Sequence, residues 1–226
     1  MSETIARTAP VASRLQLWAE FLTLFFGVPV LMAIFIEEIQ RNRALFSIVI
    51  GLAIVALVLL GRTPGWKFRD LWRGPVFSEW RIILGFWAIS AAACSAFVFA
   101  IDPELFLNFV LYRPGLWLMV MIAYPILSAF PQEIIYRSLF FERYGVLFPH
   151  AGMAIAVNGV VFGLGHLFYD QWLTIAMTAV GGAVMGWAYL RNRSTLLAWV
   201  IHSLAGQLVF TAGLGRYFYS GAIGTG

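Results

Sequence analysis

Among the ionisable side chains in apolar segments of this 226-residue chain, four stand out. Glu133 and Arg137 are four residues apart, so a helix places them on one face, where the arginine can hold the carboxylate. His166 and His202 lie in two later apolar segments, although the chain has only three histidines. Because an ionisable residue inside a membrane segment is costly, such residues mark a functional site by default.

A carboxylate and two imidazoles that converge in a dry cavity can hold and activate one water molecule. Glu133 is then expected to act as the general base, and Arg137 to fix it in place or to stabilise the developing charge. His166 and His202 are expected to orient the water and bind the tetrahedral oxyanion. The set Glu133, His166 and His202 also matches the ligands of a catalytic zinc ion. We therefore expect either no cofactor or one divalent metal ion, of which zinc is the first candidate. The spacings of 33 and 36 residues do not choose between these alternatives.

Each of these residues also has a simpler interpretation. Arg137 can be an anchor whose side chain reaches the cytoplasmic headgroups. His166 alone can be an interfacial histidine. His202, which is followed by Ser203, can simply form a hydrogen bond to a neighbouring helix. The catalytic hypothesis rests on the combination and not on any one residue.

Other polar residues near the four have supporting or ordinary roles. Asn158 shares a helical face with Phe162 and with the histidine four residues further on, so it can orient that imidazole or bridge two helices. His150, in a loop, is interpreted as structural. Glu142 and Arg143 are interpreted as a solvated helix end.

The composition requires a membrane. Apolar residues make up 61% of the chain, charged residues 12%, and the mean hydropathy is +0.84. A soluble domain of this size needs more polar surface. There is also no basic soluble face for nucleic acid, so we expect none as a partner. Spans of roughly 20 residues are predicted at 15–36, 44–60, 82–101, 115–130, 151–169, 172–190 and 195–214, with a short eighth segment at 105–112.

These continuous apolar runs predict an all-α, multi-pass bundle of seven or eight spans, since barrel strands alternate instead. Eleven Lys and Arg residues against four lie in the predicted inner segments, which favours a cytoplasmic N-terminus. For Glu133 to lie near both histidines, the fourth helix must continue through Pro131 to about Arg143. The sequence therefore predicts one long, kinked helix there.

The chain is predicted to be one membrane domain, 1–226, with a polar N-terminal arm at 1–14. The basic, Trp-rich loop at 61–81 is typical of an interfacial anchor, and a gating role is the alternative. Small residues four apart, at Gly159 and Gly163 and again at Gly182 and Gly186, predict close helix packing. The single cysteine, Cys94, excludes a disulfide within the chain.

Three motifs resemble those of the CPBP family of intramembrane proteases, also called the CAAX protease or abortive-infection family. They are Gln132-Glu133-Ile-Ile-Tyr-Arg137, Phe162-Gly-Leu-Gly-His166 and His202-Ser-Leu-Ala-Gly206, and the resemblance covers about 125–214. It implies an intramembrane endopeptidase acting on a membrane-associated protein or peptide, such as a lipidated C-terminus, a leader peptide or an anchored tail. It also implies an integral membrane protein of a prokaryotic plasma membrane. The resemblance does not indicate an oligomeric state.

Two positions depart from the family motifs. The first residue of the usual Glu pair is Gln132, and the usual final Asn is Gly206. Gln132 cannot take a proton, so the resemblance moves the water-activating role to Glu133, and Asn158 can supply the missing amide. The first alternative is a non-catalytic binding or immunity protein on the same scaffold. The second is a proton-relaying transporter, which is less favoured because it would require paired repeats that the sequence lacks.

Overall fold

A computed structural model of the protein describes residues 12–218. Within this range the chain is helical and contains no strand. Six of its helices are long and apolar enough to cross a membrane, and a seventh apolar helix has 17 residues. The predicted all-α, multi-pass bundle is confirmed, and the protein is an integral membrane protein. The polar arm lies largely in residues 1–11, outside the described part.

The helices follow the predicted apolar segments closely. Serine side chains cap two of them, Ser13 at the start of α1 and Ser194 at the start of α9. The predicted short segment at 105–112 contains a helix of only five residues. The helices are α1 (Arg14–Ile34), α2 (Ile36–Arg41), α3 (Leu45–Gly61), α4 (Trp80–Ile101), α5 (Asn108–Tyr112), α6 (Pro114–Leu147), α7 (Ala151–Leu164), α8 (Trp172–Asn192) and α9 (Thr195–Ala212).

Helix α6 is continuous through Pro131, as the sequence predicts. Its turns are not uniform, because Pro125–Ala129 and Ile134–Tyr144 are π-helical. A proline has no backbone N–H, so each proline removes one hydrogen bond from the helix and favours such wide turns nearby. Wide turns are common at functional sites. Glu133 lies directly before the second of these segments.

Side chains from neighbouring helices bond to backbone carbonyl groups of α6. The Trp199 indole N–H donates to Pro125 O at 2.7 Å, and the Gln207 amide donates to Met121 O at 2.8 Å. Both donors belong to α9. In a membrane, where water is scarce, such bonds satisfy backbone groups of irregular helices. They also fix the position of α6 against α9.

The small residues of α7 and α8 let these two helices pack closely, as predicted. A Cβ atom at Gly163 would lie 2.9 Å from Ile175 O, and one at Gly182 would lie 2.7 Å from the Cβ of Phe162. No larger side chain fits at either position without moving a helix. The close packing brings α8 directly behind Phe162 and supports it from that side.

The prediction that Glu142 and Arg143 form a solvated helix end is wrong. Arg143 is 8% exposed, and its Nε and Nη2 donate to the two oxygens of Glu20 at 2.7 and 2.9 Å. Glu142 accepts bonds from the Tyr189 hydroxyl and from Arg193. The sequence pattern suggested an exposed helix end because it did not show that α1 places a carboxylate opposite α6.

The basic loop between α3 and α4 packs partly on protein. It contains a short 3₁₀ helix, Phe68–Trp72, in which Leu71 is buried. The Trp72 ring stacks on Phe130 with ring centres 5.6 Å apart, and Phe130 in turn contacts Trp199. The loop therefore covers the side of α6 just before Glu133.

Candidate active site

Glu133 is fully buried and bridges two other predicted site residues. Its Oε1 is 2.7 Å from Nδ1 of His202, and its Oε2 is 3.1 Å from Nε of Arg137. Both Glu133 and Arg137 have 0% exposure, and His202 has 5%. The four-residue spacing on α6 and the antiparallel packing of α9 thus produce the predicted cluster.

Arg137 is not an anchor that reaches the headgroups, since it is buried among helices. Its guanidinium carbon lies 4.7 Å from the centre of the Phe162 ring, over its face. Cation–π contacts of this kind stabilise a desolvated cation. All three guanidinium nitrogens of Arg137, and Oε2 of Glu133, lack a hydrogen-bond partner among residues 12–218. Arg137 therefore pairs with Glu133 by charge, at 3.1 Å, and packs on Phe162.

The Phe162 ring joins the two histidines. Its centre is 4.9 Å from that of His166 and 5.3 Å from that of His202, both in edge-on geometry. Tyr136 packs against the same ring at 5.0 Å. The structure therefore gathers Glu133, Arg137 and His202 directly, and it connects His166 to them through Phe162.

The hydrogen bonds of the histidines define their tautomers. Nδ1 of His166 is 2.8 Å from Phe162 O, and a carbonyl oxygen can only accept. Nδ1 of His202 faces the carboxylate of Glu133, which accepts when ionised. In both neutral rings the proton then lies on Nδ1. Nε2 of each ring is left with a lone pair that can accept a proton or a hydrogen bond.

Asn158 and Gln132 take positions next to this cluster. The Asn158 amide donates to Tyr136 O at 2.6 Å and so bridges α7 to the π-helical part of α6. The Gln132 amide donates to Ser128 Oγ at 2.9 Å on its own helix. Its bonded neighbour is therefore Ser128, and not one of the four ionisable residues.

Gly206 has a clear packing role. A Cβ atom at this position would overlap the phenol end of Tyr124, which occupies that space. The Tyr124 ring meets His202 edge-on, with ring centres 5.9 Å apart. The absence of a side chain at 206 thus admits an aromatic ring from α6 to the neighbourhood of His202. The sequence reasoning missed Tyr124, and the departure at Gly206 was the signal that could have indicated it.

A catalytic zinc ion needs three protein ligands around one point. Among residues 12–218, no three His, Cys, Asp or Glu side chains are arranged to hold a metal ion. Both oxygens of Glu133 are already directed at His202 and Arg137. The described residues therefore present no ready set of three zinc ligands.

Residues 114–206 match a protein-family model described as Rce1-like, type II CAAX prenyl endopeptidase. The matched segment contains the three motifs and all four ionisable site residues. The resemblance to the CAAX protease family is thereby confirmed. No curated protein and no solved structure matches the chain.

Proposed function

We propose that this chain, whose residues 114–206 match the Rce1-like family model, is an intramembrane endopeptidase that uses a glutamate–histidine pair. The observation that carries the proposal is the 2.7 Å contact between Glu133 and His202, both buried inside the bundle. The family is a peptidase family, so the proposed reaction is the hydrolysis of a peptide bond. The contacts between the site residues indicate which part each residue takes in that reaction.

The geometry favours His202 as the base, with Glu133 acting through it. Glu133 is fully buried, its Oε1 bonds to His202 and its Oε2 lies 3.1 Å from Arg137 in an ion pair without hydrogen-bond geometry, so its negative charge is already paired inside the bundle. His202 has a lone pair on Nε2, opposite the nitrogen that bonds to Glu133. A carboxylate behind a histidine orients the ring and stabilises its protonated form. This refines the expectation that Glu133 takes the proton itself.

Hydrolysis then proceeds in two proton transfers. As the water oxygen bonds to the carbonyl carbon of the substrate, its proton passes to Nε2 of His202. The resulting imidazolium is stabilised by Glu133, which Arg137 holds. When the tetrahedral intermediate collapses, the C–N bond breaks and Nε2 returns the proton to the departing amine. His166, through its own Nε2, accepts a hydrogen bond from the water and orients it.

The proposed substrate is a membrane-bound protein C-terminus that carries a prenylated cysteine. The description of the family names a CAAX prenyl endopeptidase, and in such a C-a-a-X motif the cysteine is the prenylated residue. A prenyl chain places the peptide at the bilayer surface, and the reaction would release the last three residues. A leader peptide or an anchored tail are the other substrates that the same chemistry accommodates.

The test uses the purified full chain in lipid vesicles. A fluorescent peptide ending in a farnesylated C-a-a-X sequence is supplied, and release of the tripeptide is followed by mass spectrometry. Wild type should cleave it, and Glu133→Gln should reduce turnover at least about 10²-fold. If folded wild type cleaves neither this peptide nor an unlipidated tethered one, the non-catalytic binding function replaces the proposal. If only the unlipidated peptide is cleaved, the protein is an endopeptidase but the proposed prenylated substrate is wrong.

A further inference from the structure

Tyr124 is held against the candidate active site by contacts on several sides. Its ring contacts His202 and, on another side, Phe210, at centre distances of 5.9 and 5.7 Å. Its phenol end fills the space beside Gly206. Edge-on aromatic contacts of this kind favour one ring orientation. The position of the Tyr124 hydroxyl is therefore defined by packing.

The backbone around Tyr124 is fixed as well. Gln207 donates to Met121 O, three residues before Tyr124, and Trp199 donates to Pro125 O, one residue after it. These two donors come from the same helix, α9, that carries His202 and Gly206. Helix α9 therefore fixes the positions of Tyr124 and His202 relative to each other. A preorganised catalytic donor requires such a fixed position.

The hydroxyl of this tyrosine is unused. Within residues 12–218 it takes part in none of the side-chain hydrogen bonds, whereas the Tyr144 and Tyr189 hydroxyls each donate to a glutamate. Tyr124 is mostly buried but not completely so. A phenol group is a neutral donor that remains protonated near pH 7.

Peptide hydrolysis needs a donor of this type. When water adds to the carbonyl carbon, the carbonyl oxygen becomes an oxyanion that must be stabilised by preorganised hydrogen bonds. Nδ1 of His202 bonds to Glu133, Nδ1 of His166 bonds to Phe162 O, and the proton that His202 takes on Nε2 is donated to the departing amine, so no ring N–H is left for the oxyanion. The guanidinium of Arg137 has free N–H groups but is 0% exposed and lies over Phe162.

We propose that Tyr124 is a catalytic residue whose hydroxyl donates a hydrogen bond to the oxyanion of the tetrahedral intermediate, and that Gly206 makes room for it. The inference rests on the proposed endopeptidase function. No proton leaves the phenol: the hydroxyl keeps its hydrogen, and the bond strengthens as charge develops on the substrate oxygen. When the C–N bond breaks, the carbonyl re-forms and the hydrogen bond weakens again.

The experiment compares Tyr124→Phe with wild type and with Tyr112→Phe, a control at a tyrosine that is 74% exposed. The phenylalanine keeps the ring against Gly206 and His202 and removes only the hydroxyl. With the farnesylated peptide, kcat of Tyr124→Phe should fall about 10²-fold, the loss typical of one oxyanion donor. KM should stay within about threefold of wild type, since the contact forms only in the transition state. The control should match wild type.

A second measurement separates a catalytic from a structural role. The same peptide with a tetrahedral phosphonate at the scissile bond mimics the intermediate. Its Kd should rise in Tyr124→Phe by about the factor lost in kcat, with an unchanged melting temperature. The inference is overturned if Tyr124→Phe keeps wild-type kcat, or if it melts earlier and binds substrate and phosphonate equally weakly. If wild type itself cleaves no peptide, the proposed function fails and this inference fails with it.

Discussion

The carboxylate of Glu133 and the imidazole of His202 are joined by a 2.7 Å hydrogen bond inside the bundle, although 69 residues separate them in the chain. Arg137 meets the other carboxylate oxygen at 3.1 Å. A buried carboxylate with one oxygen bonded to a histidine and the other beside an arginine is suited to orient a base, and in the proposed mechanism His202 is that base. That mechanism assigns no proton transfer to Gln132.

Gln132 should be dispensable for the chemical step. Its amide bonds to Ser128 on the same helix and not to Glu133 or His202. We therefore expect Gln132→Ala to keep kcat within about threefold of wild type, whereas loss of a general base costs roughly 10²–10⁴-fold. Steady-state cleavage of the farnesylated peptide measures this. A loss above about 10²-fold in a folded Gln132→Ala protein would show that the amide takes part in catalysis.

Metal removal should leave turnover unchanged. The described residues offer no three-ligand group for a metal, and the proposed proton transfers use His202 alone. Wild type is assayed after dialysis against a chelator, with and without added Zn²⁺. Equal rates are expected in both samples. Loss of activity on dialysis, restored by zinc, would reject the metal-free mechanism and return Glu133, His166 and His202 to the role of ligands.

The ion pair between Glu20 and Arg143 should stabilise the contact between α1 and α6. Removing one partner leaves the other charge poorly solvated, so Arg143→Met should cost about 2–3 kcal/mol, a value reduced here because Glu20 is partly exposed. The melting temperature in detergent should fall by several degrees. The double variant Glu20→Gln/Arg143→Met should recover part of this loss.

The control for this pair is Arg73→Met, which breaks the exposed Asp70–Arg73 pair, where Arg73 is 56% exposed. Exposed pairs contribute about 0–1 kcal/mol, so its melting temperature should match wild type. Equal melting temperatures for Arg143→Met and Arg73→Met would mean that the α1–α6 ion pair contributes no stability.

Close packing behind Phe162 should be sensitive to a single methyl group. Gly182→Ala places a Cβ 2.7 Å from the Phe162 Cβ, so the ring that joins both histidines must move. We expect overpacking of about 1–3 kcal/mol and a lower kcat. Gly85→Ala is the control, since a Cβ there meets nothing within 4 Å. Unchanged kcat and melting temperature in Gly182→Ala would contradict the supporting role of α8.

Much of the architecture follows from local patterns. Apolar length predicts the helical segments, and the cost of charge in lipid marks Glu133, Arg137, His166 and His202 as candidate site residues. The need to bring Glu133 near the histidines correctly predicts the continuation of α6 through Pro131. Such inferences are within reach of a sequence because each rests on one segment, or on one strong energetic penalty.

The remaining features depend on contacts between distant segments. Arg143 is buried only because Glu20 on α1 faces it. Tyr124 reaches His202 only because Gly206 on α9 has no side chain. The π-helical turns of α6 follow from how proline, tertiary bonds and packing combine. No periodicity in one stretch of sequence encodes such pairings.

The most direct test of the central claim is a double-mutant cycle on Glu133 and His202. Single-turnover rates on the farnesylated peptide are measured for wild type, Glu133→Gln, His202→Ala and the double variant, with folding checked by melting temperature. Residues that act as one unit give strongly non-additive losses. We predict that the double variant is no slower than His202→Ala alone. If the two losses instead multiply, Glu133 acts independently of His202, and the proposed pair is wrong.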